Sequence, residues 1–198
     1  MTIYPHNHLL QRQRRKEQLL GQKGITLWFT GLSGAGKSAI ADALERIFTQ
    51  RGHLTVTVDG DSLRYGLCSD LDFNDTDRTE NIRRAAEVCR LLNNNAVIAF
   101  ATLVSPTNNM RAVAEKIIGR ENIVIIHIST PITECERRDP KGLYVRARRG
   151  EIENFTGISA PYEVPENPDI EIDTTARTNT ECAEIIFEII KSRAIYEL

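Results

Sequence analysis

One short segment, GLSGAGKS at residues 31–38, constrains the fold of this chain more than any other. An apolar run, ITLWFT (25–30), precedes it, and AIADALERIFTQ (39–50) follows with apolar residues at helical spacing. The segment matches every fixed position of the motif G-x-x-x-x-G-K-[ST], namely Gly31, Gly36, Lys37 and Ser38. In that motif a loop joins a buried strand to a helix and turns its backbone N–H groups toward phosphate oxygens. The sequence therefore predicts a strand–loop–helix unit that binds a nucleotide phosphate.

The rest of the chain alternates between short apolar runs and amphipathic segments. Further strands are predicted at LTVTVD (54–59), AVIAFATLV (96–104), NIVIIHIS (122–129) and about 170–172. Strands that alternate with helices pair in parallel through right-handed crossovers. The predicted fold class is α/β: a three-layer P-loop nucleoside-triphosphate-hydrolase-like fold with a mainly parallel sheet, helices on both faces and a cationic lid. Its active edge is expected at the carboxyl ends of the strands.

Length and charge limit the organisation of the chain. Its 198 residues suit one domain rather than two, and we predict a polar helical extension at 1–22 and a single P-loop domain at 23–198. A net charge of −2 does not indicate a nucleic-acid-binding surface. We find no apolar run of membrane-spanning or signal-peptide length, and we expect a cytoplasmic protein without membrane or nucleic-acid partners. The four cysteines form no C-x-x-C pair and are predicted to be reduced and structural.

Two carboxylates follow the second predicted strand. Asp59 and Asp61 lie where that strand ends, in DGDSLRYGL (59–67). One of them can bind or orient the water of a Mg²⁺ ion while the other holds an acceptor hydroxyl. The alternative is an acidic turn that caps a helix.

A second polar group lies in the next segment. Arg78 and Asn81 are three residues apart at a helix start and share a face, and Arg64 and Phe73 precede them. Arginine makes bidentate contacts to phosphate or sulfate, and phenylalanine offers a stacking surface to a base. These four residues predict a cradle for an anionic ligand that carries a base.

The segment 137–157, RRDPKGLYVRARRGEIENFTG, interrupts the α/β alternation and is rich in cations. A mobile cationic segment can neutralise the charge of a transferring phosphoryl group and exclude water. We predict a lid at about 137–160. Its candidate cations are Arg137, Arg138, Lys141, Arg146, Arg148 and Arg149, of which about half are expected to face solvent.

Several of these segments together resemble the adenylyl-sulfate kinase family. They are GLSGAGKS, DGDSLRYGLCSDL, DRTENIRR, the Ser105–Pro106 pair, RDPKGLYVRARRGEIENFTGI and PYEVPENPDI, in that order. The similarity runs from about Lys23 to the end of the chain. It implies an ATP-dependent kinase that phosphorylates the ribose 3′-hydroxyl of adenosine 5′-phosphosulfate (APS), giving 3′-phosphoadenosine 5′-phosphosulfate and ADP. It also implies Mg²⁺ as the cofactor that accompanies ATP, and a homodimer.

The resemblance implies a role for each matching position. The expected ATP-binding residues are Gly31, Leu32, Ser33, Gly34, Ala35, Gly36, Lys37, Ser38 and Arg138, with adenine near the loop at 174–178. The expected APS-binding residues are Asp59, Gly60, Asp61, Ser62, Arg64, Phe73, Arg78, Asn81, Val104, Ser105, Lys141, Phe155 and Thr156. Ser38 and Asp61 are expected at the metal. The expected catalytic residues are Lys37, Asp59, Asp61 and Ser105.

Two questions stay open at the level of sequence. Ser105 matches a position described as a phosphoserine in the family, but no histidine in the sequence is an obvious base for it, and we favour direct transfer between the nucleotides. The stretch SPTNNMR (105–111) keeps Arg111 but departs from the family pattern at Thr107, Asn108 and Met110. That departure leaves a kinase for another nucleotide-linked anion as an alternative. A nucleotide-gated binding module without catalysis is a weaker one, because it would need no acceptor carboxylates.

Overall fold

A five-stranded parallel sheet forms the centre of the protein. The computed structural model describes residues 6–196. The strands are β1 (Thr26–Thr30), β2 (Thr55–Asp59), β3 (Ile98–Thr102), β4 (Ile123–Ile128) and β5 (Ile170–Ile172). Their order in the sheet is β2-β3-β1-β4-β5, and each neighbouring pair is parallel. All five carboxyl ends therefore meet at one edge.

Helices cover both faces of this sheet. They are α1 (His6–Leu20), α2 (Lys37–Gln50), α3 (Gly60–Arg64), α4 (Asp75–Asn93), α5 (Asn108–Ile118), α6 (Ile132–Arg138), α7 (Leu143–Arg148) and α8 (Asn179–Ala194), with a 3₁₀ turn at Arg120–Asn122. Successive side chains of a strand point to opposite faces. On β1, Leu27 and Phe29 accordingly join the core under α2 and α8, while Trp28 joins the core under α4 and α5. The predicted three-layer α/β fold is confirmed.

Side-chain caps fix where most of the long helices begin. The side chain of Asn74 accepts a hydrogen bond from the backbone of Asp77 at the start of α4, and Thr107 does the same for Met110 at the start of α5. Thr178 and Glu181 form a reciprocal capping box before α8. Such caps satisfy N–H groups that a helix leaves unpaired. Helix α2 differs, because its N-cap is Gly36 and no side chain caps it.

The strand predictions are confirmed to within two residues at each end. The predicted N-terminal helix is present as α1, although residues 1–5 lie outside the described part of the chain. Gln22, which we assigned to the polar extension, is fully buried, and its side chain bonds to the backbone of Leu54 and Ala96. All four cysteines are unpaired and buried.

Candidate active site

A cavity of about 400 Å³ opens at the carboxyl edge of the sheet. The loop before α2 forms one end of it, and residues from α3, α4, the β3–α5 connection and the α6–α7 region form the rest. The predicted residues that line it are Ser33, Gly34, Gly36, Lys37, Ser38, Asp59, Gly60, Asp61, Arg64, Phe73, Arg78, Asn81, Val104, Ser105, Lys141, Phe155 and Thr156. Both predicted polar groups therefore meet the phosphate loop in one space.

The phosphate loop is shaped by glycine where no other residue fits. Gly31 has a φ of 148°, and a Cβ at this position would lie 2.6 Å from the carbonyl oxygen of Ile128. Gly36 has a φ of 109° directly before α2. This path leaves the first N–H groups of α2 without a side-chain cap, at the positive end of the helix dipole. An anion at this end of the cavity can take those hydrogen bonds.

Lys37 is the buried cation of the loop. Its side chain is 9% exposed, and its ammonium group donates to the carbonyl oxygens of Gly31 (3.0 Å) and Leu32 (2.8 Å). Burial lowers the pKa of Lys37 from 10.5 to about 8, because desolvation penalises the charged form. An anion beside this ammonium group would favour the charged form again.

Asp59 is the most heavily hydrogen-bonded carboxylate in the cavity. One of its oxygens accepts from Ser38 (3.1 Å) and Thr102 (2.7 Å), and the other accepts from the backbone of Asp61 and Ser62. Burial raises the pKa of Asp59, but these hydrogen bonds outweigh it and hold the pKa below its usual value. Asp59 is therefore an ionised and fixed group.

Asp61 lies in a different environment from Asp59. Its side chain is exposed, and Lys141 reaches across from the α6–α7 connection to form an ion pair with it. The sequence predicts Ser38 and Asp61 at the metal; the carboxylate that contacts Ser38 is Asp59, and the metal role of Asp61 stays a prediction. The reason is that Asp59 ends β2, whereas Asp61 is already in the first turn of α3.

The oxygens near Ser38 fit a magnesium ion. The Ser38 hydroxyl and the Asp59 carboxylate are hard ligands of the kind that Mg²⁺ prefers, and both are at the phosphate-loop end of the cavity. Among the side chains that the structure describes, residues 10–196, no group of three or more His, Cys, Asp or Glu is placed to hold a metal ion. Protein-bound Mg²⁺ usually takes its other ligands from substrate phosphates and water.

The predicted cradle is present at the other end of the cavity. The Arg64 guanidinium lies 4.0 Å from the ring centre of Phe73, and the ring itself is 59% exposed. Arg78 donates to the backbone of Phe73, to the Thr156 hydroxyl and to the carbonyl of Asn154. Arg78 thereby ties α4 to the segment that follows α7.

Asn81 is the buried amide of this cradle. Its side chain is 4% exposed, and its amide nitrogen has no hydrogen-bond partner among the described residues. A buried donor without a partner costs free energy, and a ligand oxygen in the cavity would supply the missing acceptor.

Most cations of the predicted lid do not face the cavity. Five of the six form ion pairs with nearby glutamates, namely Arg137 and Arg138 with Glu134, Arg148 with Glu136, and Arg146 and Arg149 with Glu151. Lys141 pairs with Asp61, and Arg138 donates to Thr174. Five of the six are exposed and Arg138 is half-buried, so the exposed share is larger than the expected half.

One side chain of the lid region is part of the core. Tyr144 is fully buried, and its hydroxyl donates to the carbonyl of Ser33 in the phosphate loop at 2.9 Å. Phe155 packs edge-on against Tyr144, with 5.0 Å between ring centres. Tyr144 is not among the predicted site residues, although the apolar run LYV (143–145) inside a charged segment is a usable signal.

Ser105 is buried and held from several sides. It is 2% exposed and has a φ of 38°, which is uncommon for a residue with a side chain. The indole nitrogen of Trp28 donates to its hydroxyl at 3.1 Å, and Arg111 donates to its carbonyl at 2.7 Å. No carboxylate or imidazole is hydrogen-bonded to this hydroxyl among the described residues.

The three positions at which SPTNNMR departs from the family pattern each have a structural role here. Thr107 caps α5, and Asn108 accepts a hydrogen bond from Arg111. Met110 is buried and lines the cavity. The three side chains therefore support the turn that carries Ser105 or close the wall behind it.

With this geometry established, comparison with known proteins identifies the family. Residues 23–173 match the family model for adenylylsulphate kinase. The chain belongs to this family.

Curated adenylyl-sulfate kinases resemble the chain along most of its length. The enzyme of Bacteroides fragilis strain YCH46 is 49% identical over 192 residues, which are 97% of this chain and 95% of that protein. The enzyme of Clostridium acetobutylicum is 50% identical over 186 residues, 94% of this chain and 92% of that protein. The kinase family suggested by the motifs is therefore confirmed.

Solved structures agree with the fold. A Mycobacterium tuberculosis APS kinase in complex with AMPPNP and APS superposes with a TM-score of 0.83 at 42% identity, and the match covers 85% of this chain and 98% of that one. A hexameric APS kinase from Thiobacillus denitrificans superposes with a TM-score of 0.66 at 30% identity, and the match covers 90% of this chain and 31% of that one. Among the helices within residues 6–196, none is both long and apolar enough to cross a membrane.

A few expected residues of the adenylylsulphate kinase site do not line the cavity. They are Gly31, Leu32, Ala35, Ser62 and Arg138. Gly31 and Leu32 act through their carbonyls on Lys37, and Ser62 bonds to Asp59. Arg138 lies beside Thr174, whose hydroxyl donates to the carbonyl of Ala35.

Proposed function

We propose that the protein transfers the γ-phosphoryl group of ATP to the ribose 3′-hydroxyl of APS, giving ADP and 3′-phosphoadenosine 5′-phosphosulfate. One observation carries this proposal beyond family membership: a phosphate loop and a cradle of arginine, amide and phenylalanine share one cavity of about 400 Å³. A phosphoryl donor and a base-bearing anion bound there would lie next to each other. Proximity of this kind contributes much of the catalysis in phosphoryl transfer.

The donor end binds the phosphates of ATP. The backbone N–H groups before α2 bind phosphate oxygens, and Lys37 turns from the carbonyls of Gly31 and Leu32 toward the β- and γ-phosphates. Binding restores the full charge of Lys37, because the nearby anion offsets the desolvation that lowers its pKa. The adenine of ATP rests near Arg138 and the loop at 174–178.

Mg²⁺ is the proposed cofactor, held by the phosphates together with the Ser38 hydroxyl and the Asp59 carboxylate. When bound, it stabilises negative charge on the phosphate oxygens. Asp61, which the sequence predicts at the metal, is close enough to Lys37 to act on its charge and stays a candidate for the outer part of this site.

The acceptor end binds APS. The base lies between Phe73 and Phe155, Arg64 and Arg78 face the anionic groups, and Asn81 donates its unpaired amide hydrogen. The remaining contacts come from the backbone at Gly60 and from Ser62, Val104 and Thr156, as the resemblance implies. Each of these roles is a part of the proposal that mutation can test.

Asp61 is the better candidate for orienting the 3′-hydroxyl. Both oxygens of Asp59 already accept hydrogen bonds, whereas the Asp61 side chain is exposed and, among the described residues, has only Lys141 as a partner. In the proposed reaction the 3′-oxygen forms a bond to the γ-phosphorus, the bond from that phosphorus to the β–γ bridging oxygen breaks, and ADP leaves. The proton of the 3′-hydroxyl passes to the Asp61 carboxylate. Lys141 then faces the transferred group from the lid.

The proposed function also includes the domain organisation, cellular location and oligomeric state of the enzyme. Residues 23–198 form the kinase domain and residues 1–22 an extension, and the protein acts in the cytoplasm as a homodimer. The basic, polar helix α1 supports this assembly, because its charged face is available for a second copy.

A coupled assay of ADP release tests the proposed function. The purified protein is given ATP and Mg²⁺ with APS, with other adenine nucleotides, or with no acceptor. We expect rapid ADP release with APS and little without an acceptor. Equal release with another nucleotide-linked anion would favour the alternative substrate, and no release with any acceptor would favour a binding module.

A further inference from the structure

The indole of Trp28 makes a contact that no part of the proposed reaction explains. Trp28 is the only tryptophan of the chain, is fully buried on the central strand β1, and belongs to the core under α4 and α5. A tryptophan could fill that core without any polar contact. Here its N–H group instead donates to the hydroxyl oxygen of Ser105, which lines the cavity.

This contact restricts which atoms can accept a hydrogen bond from the Ser105 hydroxyl. An indole N–H is a donor only, so the serine oxygen must act as the acceptor in this pair. The remaining protein acceptor near the hydroxyl is the carbonyl of Leu103, at a long 3.5 Å. Because the site is buried, the hydroxyl proton is best satisfied by an acceptor atom of a molecule in the cavity.

The backbone of Ser105 is fixed as firmly as its side chain. Arg111 donates to its carbonyl oxygen, the Thr30 hydroxyl donates to the carbonyl of the preceding residue Val104 at 2.7 Å, and the Thr30 and Tyr162 hydroxyls are also in contact. These contacts hold a residue with a φ of 38° that would otherwise relax. The hydroxyl is therefore fixed in position, and only its proton is free to turn.

We propose that Trp28 is a positioning residue for the acceptor nucleotide: its indole N–H orients the Ser105 hydroxyl so that the hydroxyl donates a hydrogen bond to APS. Trp28 itself does not touch the substrate in this role. The inference rests on the proposed function, because it takes APS as the molecule in the cavity. It also assigns Ser105 a binding role that needs no base beside it.

The test uses Trp28→Phe, which keeps an aromatic ring but removes the N–H donor together with part of the buried ring volume. We expect the KM for APS to rise about threefold to tenfold, the range of one hydrogen bond, while kcat and the KM for ATP change less than about twofold. Phe29→Leu is the matched control, because Phe29 is a buried neighbour on β1 that faces the other core. The control should lower thermal stability and leave the KM for APS unchanged. An unchanged KM in Trp28→Phe would overturn the proposal.

A double-mutant cycle separates positioning from simple packing. If Trp28 acts through Ser105, then adding Trp28→Phe to Ser105→Ala should raise the KM for APS no further. Multiplied effects of the two substitutions would overturn the proposal. Wild-type turnover with APS is measured first, so a failure of the proposed function is seen separately from a failure of this inference.

A spectroscopic measurement keeps the inference testable even where Trp28→Phe does not fold. A chain with one tryptophan gives a single indole N–H signal in a nitrogen–proton correlation spectrum. We expect that signal to shift in folded Ser105→Ala, which lacks the acceptor, and in wild type when APS is added. A signal that stays in place in Ser105→Ala would show that the indole does not donate to Ser105.

Discussion

The two ends of the cavity bind their ligands in different ways. At the donor end, the groups that meet phosphate are backbone N–H groups and the buried Lys37, and their positions are fixed by the path of the chain. At the acceptor end, they are side chains such as Arg64, Phe73 and Asp61, which are exposed or half-buried and come from separate elements. In the proposed function, the donor end therefore uses contacts common to many nucleotide-binding proteins, while the acceptor end supplies the specificity.

Replacement of Lys37 tests the donor end and should have the largest effect. We expect Lys37→Ala to lower kcat about 100- to 1,000-fold, by analogy with the loss of one preorganised donor at a developing negative charge. Stability should change little, because the substitution also removes a buried charge that is costly to desolvate. Steady-state kinetics and a thermal melt measure the two effects.

The exposed Lys116→Ala on α5 is the matched control for Lys37→Ala and should behave as wild type. Near-normal turnover in folded Lys37→Ala would refute the assignment of the donor end.

Removal of Phe73 tests the acceptor end. We expect Phe73→Ala to raise the KM for APS about 5- to 150-fold, which corresponds to the roughly 1–3 kcal/mol of stacking on one base. Affinity for ATP should stay the same. The melting temperature should also stay close to that of wild type, because the ring is 59% exposed.

Phe155→Ala sharpens the same comparison. Its ring packs edge-on against the buried Tyr144, so we expect weaker APS binding together with a loss of about 1–3 kcal/mol in the free energy of unfolding. Calorimetry of APS binding and denaturant unfolding report the two quantities. A loss of stability with unchanged APS affinity would limit Phe155 to core packing.

Binding of an ATP analogue at the donor end should depend on pH through Lys37. Lys37 has a pKa of about 8 without a bound anion, and a bound phosphate favours its protonated form. Below pH 8 Lys37 is already charged, so this group gives no pH dependence there. Above pH 8 binding must take up a proton, and the Kd for an ATP analogue should rise about tenfold per pH unit. Titrations by calorimetry between pH 7 and 10 at constant ionic strength measure it, and a flat Kd across that range would contradict the burial of Lys37.

The smallest effect is expected at Ser105. Because no base contacts its hydroxyl, we expect Ser105→Ala to lower kcat/KM for APS only about threefold to tenfold, the range of one hydrogen bond. Rapid-quench mass spectrometry of wild type with ATP should detect no phosphoserine that forms and decays at the turnover rate. A folded but inactive Ser105→Ala protein together with such an intermediate would establish transfer through the serine.

The phosphate loop could be recognised in the sequence for a physical reason. A phosphate loop acts through its backbone, so the few residues that permit its path, such as Gly31 and Lys37, form a recognisable pattern. The strands were equally visible, because buried parallel strands are short apolar runs. Among the lid arginines, the pairing of Arg137 and Arg138 with Glu134 follows from a spacing of three or four residues on one helix.

Contacts between separate elements were not visible in the pattern. Thr102 bonds to Asp59 because β2 and β3 align these two residues at their ends, and that register is known only from the sheet. The choice of Asp59 over Asp61 as the partner of Ser38 has the same origin. Trp28 could be predicted as buried, but which face of β1 it occupies, and hence its contact with Ser105, depends on how the strand packs.

Identification of the product tests the central claim most directly. The wild-type protein is incubated with ATP, Mg²⁺ and APS, and the phosphorylated nucleotide is analysed by mass spectrometry and phosphorus NMR. We expect one phosphate added per APS, on the 3′-oxygen, with an equal amount of ADP. We also expect no product from an APS analogue that lacks the 3′-hydroxyl. Phosphate on another position, or product from the 3′-deoxy analogue, would contradict the account.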